Sequence, residues 1–358
     1  MSDAELPVRI VLLYGGQSAE HDVSRVSAAH VLRAIDPARY EVEPVAITPD
    51  GRWLRSDATV AALASGDLPD ALDTSGTALE PQGAVAPVRA GQQVVVLPIL
   101  HGPRGEDGTV QGLLELADVA YVGCGVLGSA LNMDKATAKV VAQAAGLPVA
   151  RWIAARDTEL DDALVARVGA ELGWPVFVKP ANMGSSVGVN KAEDPAQLRA
   201  ALAEATQFDE FVVIEEAISG RELEVGILGN EAPRASVVGE IVPTHDFYDY
   251  EDKYVDGSST MVIPAAVPEA VAEEMRALAL RAYRALRCDG LARVDFFYDA
   301  DDRGLVFNEI NTLPGFTPYS MFPSLWAATG LPYPELIDEL VRLAIARHRH
   351  RQPHRRLR

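Results

Sequence analysis

Two short segments near the C-terminus, RVDFFYD and FNEIN, put acids where a divalent cation could be held. Side chains alternate along a strand, so Arg293 and Asp295 share one face, as do Glu309 and Asn311. If the segments pair as a hairpin across ADDRG, then Asp295, Glu309 and Asn311 converge. Two carboxylates and an amide oxygen are hard donors suited to Mg²⁺, which leaves room for water and phosphate oxygens. An exposed polar strand face fits the same spacing.

Further upstream, WPVFVKPANMGSSVGV ends an apolar strand on Lys179 and continues through Gly184, Ser185, Ser186 and Gly188. Small residues let backbone N–H groups approach a phosphate, and a lysine adds a point charge. The P-loop spacing is absent, and an ordinary flexible turn also fits. VVIEEAISGRELEV sets Glu215 and Glu222 near strand ends, either bracketing the adenine and ribose of a nucleotide or as solvated charge. Glu20, in YGGQSAEHDVS, follows the first strand and opens a helix. It could bind an ammonium group or complement the helix dipole. His101, in LPILHGPRGEDGTVQG, ends another strand in a Gly-rich loop, as a ligand or as a structural or surface histidine.

These residues need elements to position them. Val8 to Tyr14 reads as a buried strand, Gly15-Gly16 as a turn, and HDVSRVSAAHVLRAI as a helix. YEVEPVAI and VVVLPIL are further strands. Residues 64–92, rich in Gly, Pro, Ser, Ala and Asp, read as a partly mobile surface insertion. MDKATAKVVAQAAG is a helix stopped by Gly146 and Pro148. Alternating helices and strands follow, then the long helix PEAVAEEMRALALRAYRALRC and the acidic strand pair. Three units result: a small α/β domain over 1–126, a central α+β unit over 127–215, and a C-terminal unit over 216–350 carrying the acids. A basic tail, 351–358, is expected to be disordered.

The bulk numbers bound the function. The chain has 358 residues, a net charge of -19, 48% hydrophobic and 23% charged residues. That composition fits a soluble protein of two or three domains. No long apolar stretch suggests a membrane span, and a body this acidic argues against nucleic acid as a partner. Two cysteines, Cys124 and Cys288, are too few for a disulfide scaffold. A reducing, cytoplasmic setting with both as free thiols is the simpler reading.

Taken in order, the motifs GGQSAEHDVS, HGPRGEDGTVQG, YVGCGVLGSALNMDK, VKPANMGSSVGV, IEEAISGRELEVGIL, FYDYEDKY, ARVDFF and NEINTLPGFTPYSMFP resemble the D-alanine–D-alanine ligase family of the ATP-grasp superfamily along nearly the whole chain. Residues 64–92 and the tail read as lying outside the resemblance. It implies an ATP-grasp fold, mixed α/β and α+β, behind an N-terminal Rossmann-like domain. It also implies ATP-dependent ligation of two D-alanines through a D-alanyl phosphate, for peptidoglycan precursors.

Residue by residue, the resemblance implies that Lys135, Lys179, Ser185 and Ser186 meet the nucleotide's phosphate side. Glu215, Glu222 and the backbone of Glu216, Ala217 and Ile218 would meet its adenosine. Phe247 and Lys253 would belong to a lid over 240s–250s that orders on nucleotide binding. Asp295, Glu309 and Asn311 match ligands of two Mg²⁺ or Mn²⁺ ions, with K⁺ a candidate activator. Glu20 and His101 would lie around the first D-alanine, and Ser320 and Met321 around the second. Arg293 and the Gly315 N–H would stabilise the tetrahedral oxyanion. Tyr254, Ser185 and Glu20 would form a set that holds the lid shut. A homodimer is implied. The rival reading within the same fold takes D-serine or D-lactate as second substrate, and Lys253-Tyr254 argues against D-lactate. A second rival, a nucleotide-binding regulator without turnover, is hard to reconcile with intact acids and lysines.

Overall fold

The computed structural model describes residues 7–242 and 260–355. Phe247, Lys253, Tyr254 and nearly all of the expected lid lie outside the described residues. The first strand, β1 (Val8–Gly15), is apolar on both faces, the pattern of an interior parallel strand. Helix α1 (His21–Ala34) carries the chain over to β2 (Tyr40–Ile47), which pairs parallel with β1. Strands β3 (Trp53–Arg55) and β4 (Thr77–Ala78) extend that edge antiparallel. Strand β5 (Val94–Leu100) instead joins the opposite side of β1, followed by β6 (Ala120–Tyr121). The sheet order is β4-β3-β2-β1-β5-β6. The reversal between β1 and β5 is a topological switch point, where open α/β sheets bind ligands beyond the strands' carboxyl ends. Glu20 and His101 follow these two strands.

The segment expected as a mobile insertion is pinned instead. Helices α2 (Asp57–Ser65) and α3 (Pro81–Ala84) lie in or against it. Leu72 is fully buried, and the Tyr14 hydroxyl donates to the Asp73 carbonyl at 2.5 Å. Composition flagged a loop but could not reveal one apolar anchor and its backbone bonds.

After α4 (Thr109–Leu116) come α5 (Val126–Met133) and α6 (Lys135–Ala144), then a four-stranded antiparallel sheet. It contains β7 (Trp152–Arg156), β8 (Val176–Pro180), β9 (Asn190–Ala192) and β10 (Phe211–Glu216), in the order β7-β10-β8-β9. Helices α7 (Asp162–Glu171) and α8 (Pro195–Ala205) supply Leu164, Val168, Leu198 and Leu202 to its core.

The third sheet runs β13-β12-β11-β14-β15. Its strands are β11 (Arg221–Gly229), β12 (Arg234–Val242), β13 (Thr260–Val262), β14 (Gly290–Asp299) and β15 (Gly304–Asn311). Leu223, Val225 and Ile227 face Met275 and Ala279 of α9 (Glu269–Ala285). Gly226 points the other way, against α10 (Met321–Ala328), where an added Cβ would lie 2.8 Å from Trp326 Nε1. Glycine is needed there because the helix sits directly on the sheet.

Two boundaries differ from expectation. Ala138, Ala142 and Leu147 pack with the third sheet, so the α5–α6 pair belongs to that core and not to the central unit. The last helix, α11 (Tyr333–Arg355), buries Leu336, Leu340 and Val341 against the first sheet. Turn residues mark where a helix stops, not which sheet covers its apolar face. The tail is also corrected, because α11 continues through Arg355. Arg351 pairs there with Asp289 at 2.7 Å and Glu115 at 3.3 Å.

Cys124 and Cys288 are free and buried, and their loops meet although they were assigned to different units. The Asp289 N–H donates to Cys124 Sγ at 3.4 Å, and Asn132 Nδ2 to Cys288 Sγ at 3.4 Å. Burial pushes the Cys288 thiol up. We expect both thiols to resist a thiol reagent in the folded protein and both to react in unreduced, unfolded protein. Recovery of neither after unfolding would mean that they are oxidised.

Candidate active site

The acidic hairpin sits on β14 and β15. Asp295 lies opposite Glu309, and Arg293 opposite Asn311, after which the register slips from Glu309 to Phe307. Such an irregularity re-aims side chains beside a site. Arg293 donates to both Asp295 oxygens at 2.8 and 2.7 Å, and its Nε lies 3.0 Å from Glu224 on β11. Burial would push the guanidinium pKa down, but Asp295, Glu224 and Glu309 hold it well up. Among the described residues no three His, Cys, Asp or Glu gather as a metal cluster. The set here is two acids and an amide, and oxygen donors on two adjacent strands fit a hard cation.

Lys135, at the start of α6, donates to the Met183 carbonyl at 2.5 Å and lies 3.8 Å from Glu309. It thereby joins the hairpin to the loop after β8. Lys179, at the end of β8, lies 3.1 Å from Glu215 Oε2 on β10. Burial opposes the charge of Lys179, yet Glu215, Glu309 and Glu222 leave its pKa raised. Burial would likewise raise Glu215, but Lys139 and Lys179 outweigh it and hold the carboxyl at about 2. A carboxyl held below its usual 4.5 stabilises the fold above that pH, and the contribution disappears as pH falls through about 2. We therefore expect the stability gap between wild type and Glu215→Gln to shrink between pH 4.5 and 2, read by urea unfolding. A gap constant with pH would contradict the pairing.

The neighbouring backbone is partly committed. The Glu216 N–H bonds to Arg151 and the Ala217 N–H to Pro175. The Glu216 carboxylate is clamped by Arg151 at 2.6 Å and Arg303 at 2.8 Å. Among the described residues, Ile218 is the one of the three whose N–H has no backbone partner. Glu222 is half-buried on β11.

The first sheet meets this cluster through Glu20, which is buried and accepts a hydrogen bond from Ser185 Oγ. Ser185 and Ser186 hold φ of 50° and 59°, a left-handed conformation costing on the order of 1 kcal/mol each. His101 is buried, with Nδ1 3.1 Å from the Leu313 carbonyl and 3.8 Å from Glu106. Burial lowers its pKa, but Glu106 and Glu20 more than reverse this, so it is raised. Its Nε2 has no hydrogen-bond partner among the described residues. Gly315 sits beside Ser320, where an added Cβ would lie 3.1 Å from Ser320 Oγ. The Met321 side chain is buried with Ile241 and Leu325, which leaves its backbone to face a ligand.

Sequence reasoning missed Glu106, Glu224 and Lys139. Lys139 was findable, since it lies four residues after Lys135 and shares its helix face. Glu224 shares a strand face with Glu222, which alternation alone could have suggested.

A Rossmann-like sheet followed by two antiparallel sheets that bring lysines and oxygen donors together is the ATP-grasp architecture with its preceding domain. Family models described as D-ala D-ala ligase N-terminus and C-terminus match residues 9–124 and 141–342. The chain belongs to the D-alanine–D-alanine ligase family. It is 47% identical over 359 residues to the D-alanine–D-alanine ligase of Geobacillus kaustophilus, covering 97% of each chain. It is 46% identical to that of Bacillus cytotoxicus, covering 96% of this chain and 98% of the relative. Among solved structures, the D-alanine–D-alanine ligase of Coxiella burnetii superposes with a TM-score of 0.81 at 33% identity over 97% of each chain. The VanG D-Ala:D-Ser ligase of Enterococcus faecalis gives 0.82 at 33%, covering 95% of this chain and all of that one. The matched segment 9–124 spans residues 64–92, which therefore lie inside the family's N-terminal domain.

Proposed function

We propose that the protein joins two D-alanines into D-alanyl-D-alanine, with cleavage of ATP to ADP and phosphate, as a step toward peptidoglycan precursors. The observation that carries this reading is similarity over 97% of the chain to a D-alanine–D-alanine ligase at 47% identity. Lys135, Lys179 and the Ser185–Ser186 loop face the phosphates. Glu215, Glu222 and the Ile218 N–H face the adenosine. Asp295, Glu309 and Asn311 would hold two Mg²⁺ or Mn²⁺. When bound, these ions neutralise phosphate charge during transfer.

Glu20 holds the ammonium of the first D-alanine, with His101 Nε2 beside it. The first carboxylate attacks the γ-phosphorus, breaking the bond to ADP and forming D-alanyl phosphate. The second D-alanine, near Ser320 and the Met321 backbone, loses a proton and attacks the carbonyl carbon. Arg293 and the Gly315 N–H stabilise the oxyanion. Phosphate then leaves, the nitrogen gives up its second proton to it, and the neutral amide remains. The Ser185–Glu20 bond ties two domains across the site and helps exclude water from the acyl phosphate.

Among the described residues no helix is long and apolar enough to cross a membrane. Two buried free thiols agree with a reducing cytoplasm. A homodimer and activation by K⁺ rest on the family resemblance. Likeness to a D-Ala:D-Ser ligase keeps D-serine as the second reading for the second substrate. Incubation with ATP, Mg²⁺ and equal D-alanine and D-serine separates the two. D-alanyl-D-alanine should dominate, and dominance of the mixed dipeptide would transfer the assignment to D-serine.

A further inference from the structure

Lys139 has no role in the reading above, yet its side chain is 2% exposed in the middle of α6. A buried ammonium is costly unless paired. Its Nζ lies 3.2 Å from Glu215 Oε1, while Lys179 holds Oε2 at 3.1 Å. One carboxylate thus sits between two lysines. Only one of them, Lys179, continues a strand into the loop read as the phosphate side. Lys139 is fixed by its helix beneath the site.

We propose that Lys139 is a positioning residue for the nucleotide: it is the standing counter-ion of Glu215 and so frees Lys179 to turn toward a phosphate. The inference rests on the reading of Lys179 as a phosphate contact. Without Lys139, Lys179 would be the close cation left to Glu215, and an incoming triphosphate would compete with a buried carboxylate for it. With Lys139 present, Glu215 keeps a charged partner when Lys179 moves. Glu309 and Glu222 pull on Lys179 as well, and Glu215 is the carboxylate placed 3.1 Å from it.

The test measures binding of a non-hydrolysable ATP analogue with Mg²⁺ by calorimetry, alongside steady-state kinetics, on full-length protein. Lys139→Met should weaken binding and raise KM for ATP about tenfold. Its kcat at saturating ATP should stay within roughly twofold of wild type. Lys139→Arg should recover most of the loss. In a Glu215→Gln background, Lys139→Met should weaken binding no further, because the carboxylate it serves is gone. Equal weakening in both backgrounds, or no weakening in either, overturns the proposal. Lys179→Met separates this from the site reading. If it leaves binding unchanged, Lys179 does not contact phosphate. If it weakens binding while Lys139→Met does not, only the role of Lys139 falls. Should Lys139→Met fail to fold, Lys139→Gln gives the same comparison with a donor retained.

Discussion

Glu309→Gln should abolish D-alanine-dependent ADP release while leaving the fold intact. The exchange keeps volume and shape and removes one negative charge. The Glu309 side chain is 38% exposed, and its ion pair with Lys135 is long, at 3.8 Å. A pair of that kind contributes about 0–1 kcal/mol, so thermal unfolding should shift by only a few degrees. Turnover depends on the same carboxylate quite differently. Opposite Asp295 and near Asn311, it would help to hold the cations, and an amide brings no charge to that task. Phosphoryl transfer relies on alignment and charge neutralisation, so loss of that carboxylate would remove a main support. The readouts are ADP release and a melting curve on the same sample. Full activity in this variant would take Glu309 out of the site.

Arg293→Met should damage stability and activity together, and the two losses can be separated. The guanidinium holds Asp295 at 2.8 and 2.7 Å and Glu224 at 3.0 Å, all three largely buried. Removing it takes a buried cation from the side of two carboxylates, a change that typically costs about 3–5 kcal/mol. Loss of an oxyanion donor lowers kcat by a further factor on the order of 10²–10³. Arg293→Lys should restore much of the stability, since one charge returns. It should restore little of the activity, since an ammonium cannot span both acids and the oxyanion as a planar fork does. Urea unfolding and dipeptide formation are the paired measurements. A Met variant as stable as wild type would contradict the buried pairing, and a fully active Lys variant would contradict the need for the fork.

Much of the site was legible because its parts are local. Strand alternation and a hairpin turn were enough to bring Asp295, Glu309 and Asn311 to one edge of the third sheet. A strand ending in Lys179 before a Gly/Ser loop carried its own signal, and so did Glu20 after β1. What could not be read was where faces dock. The α6 helix falls in the expected central unit, 127–215, yet its apolar face packs under the third sheet. That docking buries Lys139 against Glu215, a contact between residues 76 positions apart that no local pattern encodes. Residues 64–92 misled for a related reason: low-complexity composition hid Leu72, whose burial ties the segment down. The C-terminal arginines read as a solvated tail because their partners, Glu115, Asp289 and the Tyr121 carbonyl, come from a helix, a loop and a strand distant in sequence.

The central claim is that ATP cleavage here is coupled to joining two D-alanines. It is tested most directly by following ADP release with ATP and Mg²⁺, with and without D-alanine, while quantifying dipeptide in the same reaction. Release should depend on D-alanine, and each ADP should be matched by one D-alanyl-D-alanine. ADP release at the same rate without D-alanine, or D-alanine-dependent release with no dipeptide formed, would contradict the account.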